Sequence, residues 1–383
     1  MADVHDTVEL RVDGKTSSGW TDVQIVASME RAQRTARFTL SDQPVDGVPA
    51  RFSFSVGSPC EVFVRDQTGG GRRDKIVTGA AEGLGGDSSA DRNQFRLPVY
   101  SKTVDVILSA PAAGPTFKNL TRIEIVRALC APHGVGVVLG PGVEAGERLS
   151  TFATQRGEKA YNAIDRLMKG QGLVVTDNAD GDLVLTRVGN KRAEVAIIRG
   201  ANILSSSFTI DSTLRYSSYR CRGQRAGDDV DFGSVVAAVD QSSADDWQGR
   251  VRILDVQPGR SVDPATAKAM CDWEAAQRAG RSAQATYTVQ GWRQRPGGDL
   301  WEPNMIVQVR DPFAGIDGEM LIVEVSHSKN ESEATTDLLV APPVAYQQFL
   351  PPPPTKRRPS RTKRTGLISD IANYINELLG RTR

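Results

Sequence analysis

The stretch FKNLTRIEIVRALCAPHGVGVVLG, residues 117–140, decides how the rest of the chain reads, because the hydrophobic period changes inside it. Thr121 and Glu124 stand at the spacing of a capping box, and Ile125, Val126, Leu129 and Cys130 then share one helical face. Pro132 and Gly134 stop that helix, and GVGVVLG follows as a strand. A second helix is expected near 157–169, with Ala160, Tyr161, Ile164, Leu167 and Met168 as its buried stripe and Gly170 as its stop. LVVTDNADGDLVLTR, 173–187, then reads as a hairpin with a polar loop. Residues 106–195 are therefore expected to form an α+β domain.

On the N-terminal side the period is two. VELRVDG, DVQIVASME, TARFTLSD, RFSFSVG, CEVFVRD, DKIVTGAAEG and QFRLPVYS are short runs rich in β-branched and aromatic residues, with Phe52, Phe54 and Val56 alternating. Many short strands at this spacing predict a small β-barrel-like domain over 1–105. On the C-terminal side strands return in SSFTID, SSYRCRG, DFGSVVAAVD and RVRILDV. Asp263 and Pro264 make a helix start, and that helix is expected to run to Gly280. ATYTVQGW, MIVQVRD, MLIVEVSHS and TTDLLVAPP complete a second β-rich, barrel-like domain over 196–345. Residues 346–383 change character: Pro351–Pro354 are stiff, Lys356–Arg364 are mainly basic, and about 366–379 form an amphipathic helix. Its apolar face carries Leu367, Ile368, Ile371, Tyr374, Ile375, Leu378 and Leu379, a pattern suited to docking on a neighbouring protein or subunit. The fold class is thus α+β and predominantly β: two small barrel-like domains, an α+β domain between them and an amphipathic tail.

Composition limits the function. The chain has 383 residues, 39% hydrophobic and 24% charged, with a formal net charge of +1. That is an ordinary globular composition with no global attraction to nucleic acid or anionic membrane. Cys60, Cys130, Cys221 and Cys271 lie far apart, which argues against a disulfide framework and fits synthesis in a reducing cytoplasm. The opening MADVHDTVEL lacks the apolar core of a secretory signal, and no run is long and apolar enough to span a membrane.

Catalytic signatures are missing: there is no P-loop, no HExxH, no GxSxG and no dinucleotide-binding glycine motif after a strand. His5, His133 and His327 are scattered, and His133 falls in a helix-ending turn. Asp177, Asp180 and Asp182 suggest calcium only superficially, because Ala179 and Gly181 occupy positions that would need oxygen ligands; a solvated loop is the better reading. Asp228, Asp229 and Asp231 read as an acidic loop, and Gly69, Gly70 and Gly71 as a hairpin tip. Trp20, Trp292 and Trp301 adjoin strands and are expected to anchor packing. The basic run at 356–364 reads as a solvated linker.

Five segments, in order, resemble the baseplate central hub proteins of Mu-like contractile-tailed phages, the late-control or tail hub family. They are VELRVDGKTSSGWTDVQIVASME, FKNLTRIEIVRALCAPHGVGV, AYNAIDRLMKGQGLVVTDNADGDLVLTR, QGWRQRPGGDLWEPNMIVQVRDP and GEMLIVEVSHS. The fourth carries Leu300, Trp301, Pro303 and Asn304. The resemblance spans residues 8 to about 345 and does not extend to 224–262 or to the tail after 350. It implies a structural protein rather than an enzyme, with no catalytic, cofactor-binding or metal-binding residues. It further implies a homotrimer with two barrels per subunit, a ring that adapts the six-fold tail tube to a three-fold spike. The implied partners are the tail tube, the tail spike and other baseplate proteins. Viral DNA would pass through the channel without specific binding, and no membrane anchor is expected. The implied location is the virion tail baseplate, assembled in the bacterial host cytoplasm. A related contractile injection or secretion machine, a phage-derived bacteriocin and a tail-associated cell-wall hydrolase are the alternative settings.

Overall fold

A computed structural model describes residues 6–12, 14–18, 20–42, 55–66, 71–89, 93–111, 114–224, 238–245, 250–258 and 262–351. His5, Phe52, Phe54, Gly69, Gly70, Asp228, Asp229, Asp231 and the tail from Pro352 onward, with its basic run and amphipathic segment, lie outside the described residues.

The first block is all strand: β1 (Asp6–Val12), β2 (Lys15–Ser17), β3 (Asp22–Ser28), β4 (Arg31–Asp42), β5 (Pro59–Asp66), β6 (Arg73–Ala81), β7 (Gly85–Ser88) and β8 (Asn93–Ser101). Alternate residues point inward, so Val8, Leu10, Ile25, Phe38, Val62, Val64, Val77 and Val99 fill one core. Trp20 packs on that core with its ring centroid 4.7 Å from that of Phe38.

The middle segment contains α1 (Thr103–Leu108), β9 (Thr116–Thr121), α2 (Arg122–Cys130), β10 (Val137–Leu139), β11 (Arg148–Ala153), α3 (Ala160–Met168), β12 (Val174–Asp177) and β13 (Leu183–Thr186). The predicted capping box is present: the Glu124 amide donates to Thr121 Oγ1 at 3.2 Å, and the Thr121 amide donates to Glu124 Oε2 at 2.7 Å. A 3-10 turn over Ala131–His133 ends in Gly134, whose φ of 63° lies in the left-handed region that glycine tolerates. Strands β12 and β13 form the expected antiparallel hairpin, and β10 adds to it in parallel.

The last part begins with β14 (Lys191–Arg192), β15 (Ile197–Ile198) and β16 (Ser205–Ile210). A separate sheet of β17 (Ser218–Gln224), β18 (Ala238–Ala244) and β19 (Ile253–Val256) packs on α4 (Pro264–Arg281). Asp263 caps α4 by accepting from the Thr266 amide at 2.8 Å, as the Asp-Pro start predicts. The helix passes Gly280 by one residue. A side chain at Gly280 would collide with the Ala345 backbone, so glycine permits the close approach of the chain there. The second β block closes the described chain with β20 (Ala283–Gln290), β21 (Met305–Asp311), β22 (Ile316–Asn330) and β23 (Ala334–Ala341).

The fold is predominantly β with helices, as the sequence predicts. Its strand pairing corrects one detail. Among the described residues neither block closes on itself; both belong to one 15-stranded sheet whose main path runs β16-β20-β23-β22-β3-β4-β8-β6-β5-β1-β2, with β7 paired to β8, β21 to β22, and β14 and β15 to β21 off that path. The physical reason lies in the 15 residues of β22. Ile316–Leu321 pair with β21, whereas Glu324–Asn330 pair with β3 of the first block, and β23 runs along the opposite edge. A strand edge that could have closed one block is used to join two. The register shifts at Val323, and the Val323 carbonyl freed there accepts from the Met29 amide at 2.9 Å.

Candidate functional site, a buried ionic junction

Arg34 lies on β4 at the inward-facing parity, between Ala32 and Ala36, and is almost fully buried. The small neighbours leave room for a guanidinium where a larger apolar side chain would otherwise pack. Its fork takes both oxygens of Glu302, Nη1 to Oε1 at 3.1 Å and Nη2 to Oε2 at 2.7 Å, and Nη1 also donates to the Ile76 carbonyl at 3.3 Å. The Arg34 backbone amide donates to Asp177 Oδ2 at 2.8 Å, and Arg34 Nε lies 3.5 Å from Asp177 Oδ1. Ser101 at the end of β8 donates to the same Asp177 oxygen at 2.7 Å. One arginine thus ties the first β block to the middle hairpin and to the segment that precedes β21.

Burial opposes the charge on Arg34, but the carboxylates of Glu302 and Asp177 outweigh it and raise its pKa. Burial pushes the Asp177 carboxyl up, with the Arg34 charge and the hydrogen bonds from Ser101 and the Arg34 amide pulling the other way. His327 on β22 is buried close by, with Nδ1 2.9 Å from Thr336 Oγ1 and Nε2 3.2 Å from the Trp301 carbonyl. Its ring lies 5.1 Å from that of Trp292. Burial holds its pKa down to about 4, so the imidazole is neutral at physiological pH.

A second arginine repeats the device. Arg293 donates from Nη1 to Asp74 Oδ2 at 2.7 Å and to the Gly298 carbonyl at 3.0 Å, and from Nε to Asp6 Oδ1 at 3.3 Å. Asp66 Oδ2 is 4.0 Å from the same Nε. Strands β1, β5 and β6 of the first block are thereby fastened to the loop after β20. Such pairs add little net stability relative to apolar packing, yet removing one partner leaves a buried charge and costs about 3–5 kcal/mol. Their effect is to hold three chain segments in a single arrangement.

The solvated-loop reading holds for exposed Asp180 but not for Asp177, which is buried at the junction because β12 lies against β4. Asp182 accepts from the Gly136 amide at 3.0 Å. Trp292 and Trp301 are buried packing anchors, and Trp292 Nε1 donates to the Ser328 carbonyl at 2.9 Å. His133 sits in the turn after α2, away from the junction. Sequence reasoning passed over Arg34, Glu302, Arg293 and the role of His327. A signal existed: Arg34 and His327 each occupy an inward position in an otherwise apolar strand pattern.

Residues 106–187 match the family described as baseplate hub protein gp44-like, second domain, and residues 263–349 match the fourth domain of the Mu phage baseplate assembly protein GpP. Over 362 residues the chain is 28% identical to the baseplate hub protein gp44 of Escherichia phage Mu, covering 92% of this chain and 91% of that one. The chain is similar to Mu-type baseplate hub proteins over most of its length. The 43 kDa tail protein of prophage MuSo2 from Shewanella oneidensis has the same fold as this chain, with a TM-score of 0.77 at 24% identity over 89% of this chain and 99% of that one. A tail protein of Neisseria meningitidis superposes with a TM-score of 0.70 at 20% identity, over 88% and 96% of the two chains. The first family match contains Asp177, and the second contains Arg293, Glu302 and His327. The ionic junction therefore joins the two matched regions through Arg34, which lies outside both.

Proposed function

We propose that this chain is a baseplate hub and forms a homotrimeric ring at the base of a contractile tail, adapting a six-fold tail tube to a three-fold spike. The observation that carries the reading is the β3–β22 joint, which sets two β blocks with separate cores side by side in one chain. Three such chains present six blocks, so a three-fold assembly can meet six-fold and three-fold neighbours. The arginine junctions fit a part that carries load, because they resist sliding of one block on the other. Spike, tube and other baseplate proteins are the partners in this reading. DNA passes the ring without specific binding, as the near-neutral chain permits. The role is mechanical and not enzymatic, performed in the virion tail after assembly in the host cytoplasm. Light scattering on the purified chain tests the reading: a mass near three times 41.4 kDa supports it. A mass of one chain at every concentration, with or without its tail partners, overturns it. Clearing of a cell-wall suspension by the purified chain would overturn the non-enzymatic role.

A further inference from the structure

The four buried thiols are of two kinds. Cys60 lies in the core of the first β block and Cys130 in that of the middle segment, and each is the single cysteine of its core. Cys221 on β17 and Cys271 on α4 instead share one core, the small one that holds the β17–β18–β19 sheet on that helix. Among the described residues six buried side chains make it, two of them alanine, so it gains less from burial than the core of the first block. The helix also has work beyond its sheet. Trp273 Nε1 donates to the Gln347 carbonyl at 2.6 Å and Arg281 Nε to the Ala345 carbonyl at 3.2 Å, so α4 holds the segment after β23.

Local pattern explains why the two sulfurs meet. On β17 Tyr219 and Cys221 are fully buried, whereas Arg222 is exposed, as strand alternation requires. On α4 Ala267, Cys271 and Ala275 are spaced by four and buried on one face. The alanines on either side of Cys271 carry little bulk, which lets the helix lie close on the strand. Cys271 Sγ lies 3.5 Å from the Gln241 carbonyl oxygen, and Gln241 on β18 is the register partner of Cys221. The helix sulfur is thus placed over the strand pair at the level of the Cys221 sulfur. Each thiol also acts on the other. Burial pushes both up, Cys271 to about 11, while a hydrogen bond with Cys271 pulls Cys221 down and the charge of Cys221 pushes Cys271 further up.

We propose that Cys221 and Cys271 are a latent disulfide, which closes when the chain meets an oxidant of the low-molecular-weight disulfide class and then staples α4 to β17. The thiolate of one cysteine attacks a sulfur of the oxidant, breaks its S–S bond and releases one thiol, which takes up the proton. The second protein thiol, deprotonated in turn, attacks the mixed disulfide and releases the other thiol. The two protein sulfurs are oxidised and the oxidant is reduced to two thiols. Both sulfurs are buried and protonated at neutral pH, so the first attack waits for α4 to lift from its sheet and closure is slow. Cys60 and Cys130 have no second thiol in their cores and stay reduced. A tail part made in a reducing cytoplasm meets oxidising surroundings on release. That setting rests on the proposed tail function, whereas closure in the isolated chain does not.

The test equilibrates the purified full chain with excess 2-hydroxyethyl disulfide, first in buffer and then in urea just below the unfolding transition, where α4 opens and access no longer limits. Peptide maps quenched in acid are expected to show Cys221 joined to Cys271, with Cys60 and Cys130 as thiols. Iodoacetamide after denaturation then adds two groups to the four-cysteine chain. The oxidised chain is expected to melt several degrees higher at unchanged mass in light scattering, and a reductant to reverse the gain. Cys221→Ala and Cys271→Ala are each expected to remove both the linked peptide and the redox dependence of melting, and Cys60→Ala to keep both. Oxidant adducts on Cys221 and Cys271 that never join, thiols unchanged even in urea, or a linked chain that melts lower overturn the proposal. None of these outcomes bears on the trimer, whose test is the mass of the chain.

Discussion

Arg34 and Glu302 are 268 residues apart in the chain, yet the guanidinium of one grips both carboxylate oxygens of the other, at 3.1 and 2.7 Å. The pair spans the junction at which the two β blocks are held, and Asp177 of the middle hairpin shares the same arginine. The relative position of three segments thus depends on one buried cation and its two anions.

Arg34→Ala is expected to cost about 3–5 kcal/mol, because it leaves Asp177 buried without its counter-charge. Arg34→Lys restores a charge but not the fork, and is expected to recover only part of the loss. Thermal melting of both variants checks this. A double-mutant cycle of Arg34→Ala with Asp177→Asn is expected to show coupling above about 1 kcal/mol.

His327 makes the fold sensitive to acid. Its pKa falls from an ordinary 6.5 to about 4 on folding, so between those values the unfolded chain binds the extra proton. The stabilisation is complete above pH 6.5 and is lost as pH falls through that window, by roughly 3 kcal/mol in all. His327→Gln is expected to flatten the melting-temperature profile between pH 6.5 and 4. An unchanged slope would place the acid sensitivity elsewhere.

Gly79 on β6 faces the Tyr100 carbonyl of β8 so closely that an added Cβ would lie 1.7 Å from the oxygen. Backbone cannot rotate away as a side chain can, so Gly79→Ala is expected to separate β6 from β8 and cost about 3 kcal/mol or more. Limited proteolysis should show new cleavage between residues 71 and 101.

All four cysteines are free and buried, and burial pushes the Cys60 and Cys130 thiols up to about 12 and Cys271 to about 11. The reactive thiolate is therefore scarce at neutral pH. Iodoacetamide at pH 8 is expected to leave the native chain unmodified for hours and to add four groups after denaturation. Early labelling of Cys221 or Cys271 alone would show that α4 opens from its sheet.

Local structure was legible in the sequence wherever it depends on neighbours along the chain. The Thr121–Glu124 capping box, the Asp263 cap and the stop at Gly134 each involve groups within a few residues, and each stands as expected. The runs read as strands in VELRVDG, DVQIVASME, CEVFVRD and MIVQVRD likewise form β1, β3, β5 and β21, where a pleated strand with one buried face imposes a period of two. Only the tertiary structure decided where edges and charges go. Pairing of β3 with β22 is set by backbone donors and acceptors identical at every residue, so no residue pattern announces it in place of barrel closure. Asp177 sits in a polar hairpin whose local chemistry suits solvent, and its burial is imposed by β4 packing over it. Sequence could mark Arg34 as a charge in an apolar stripe; the identity of its partners follows only from which segments the folded chain brings together.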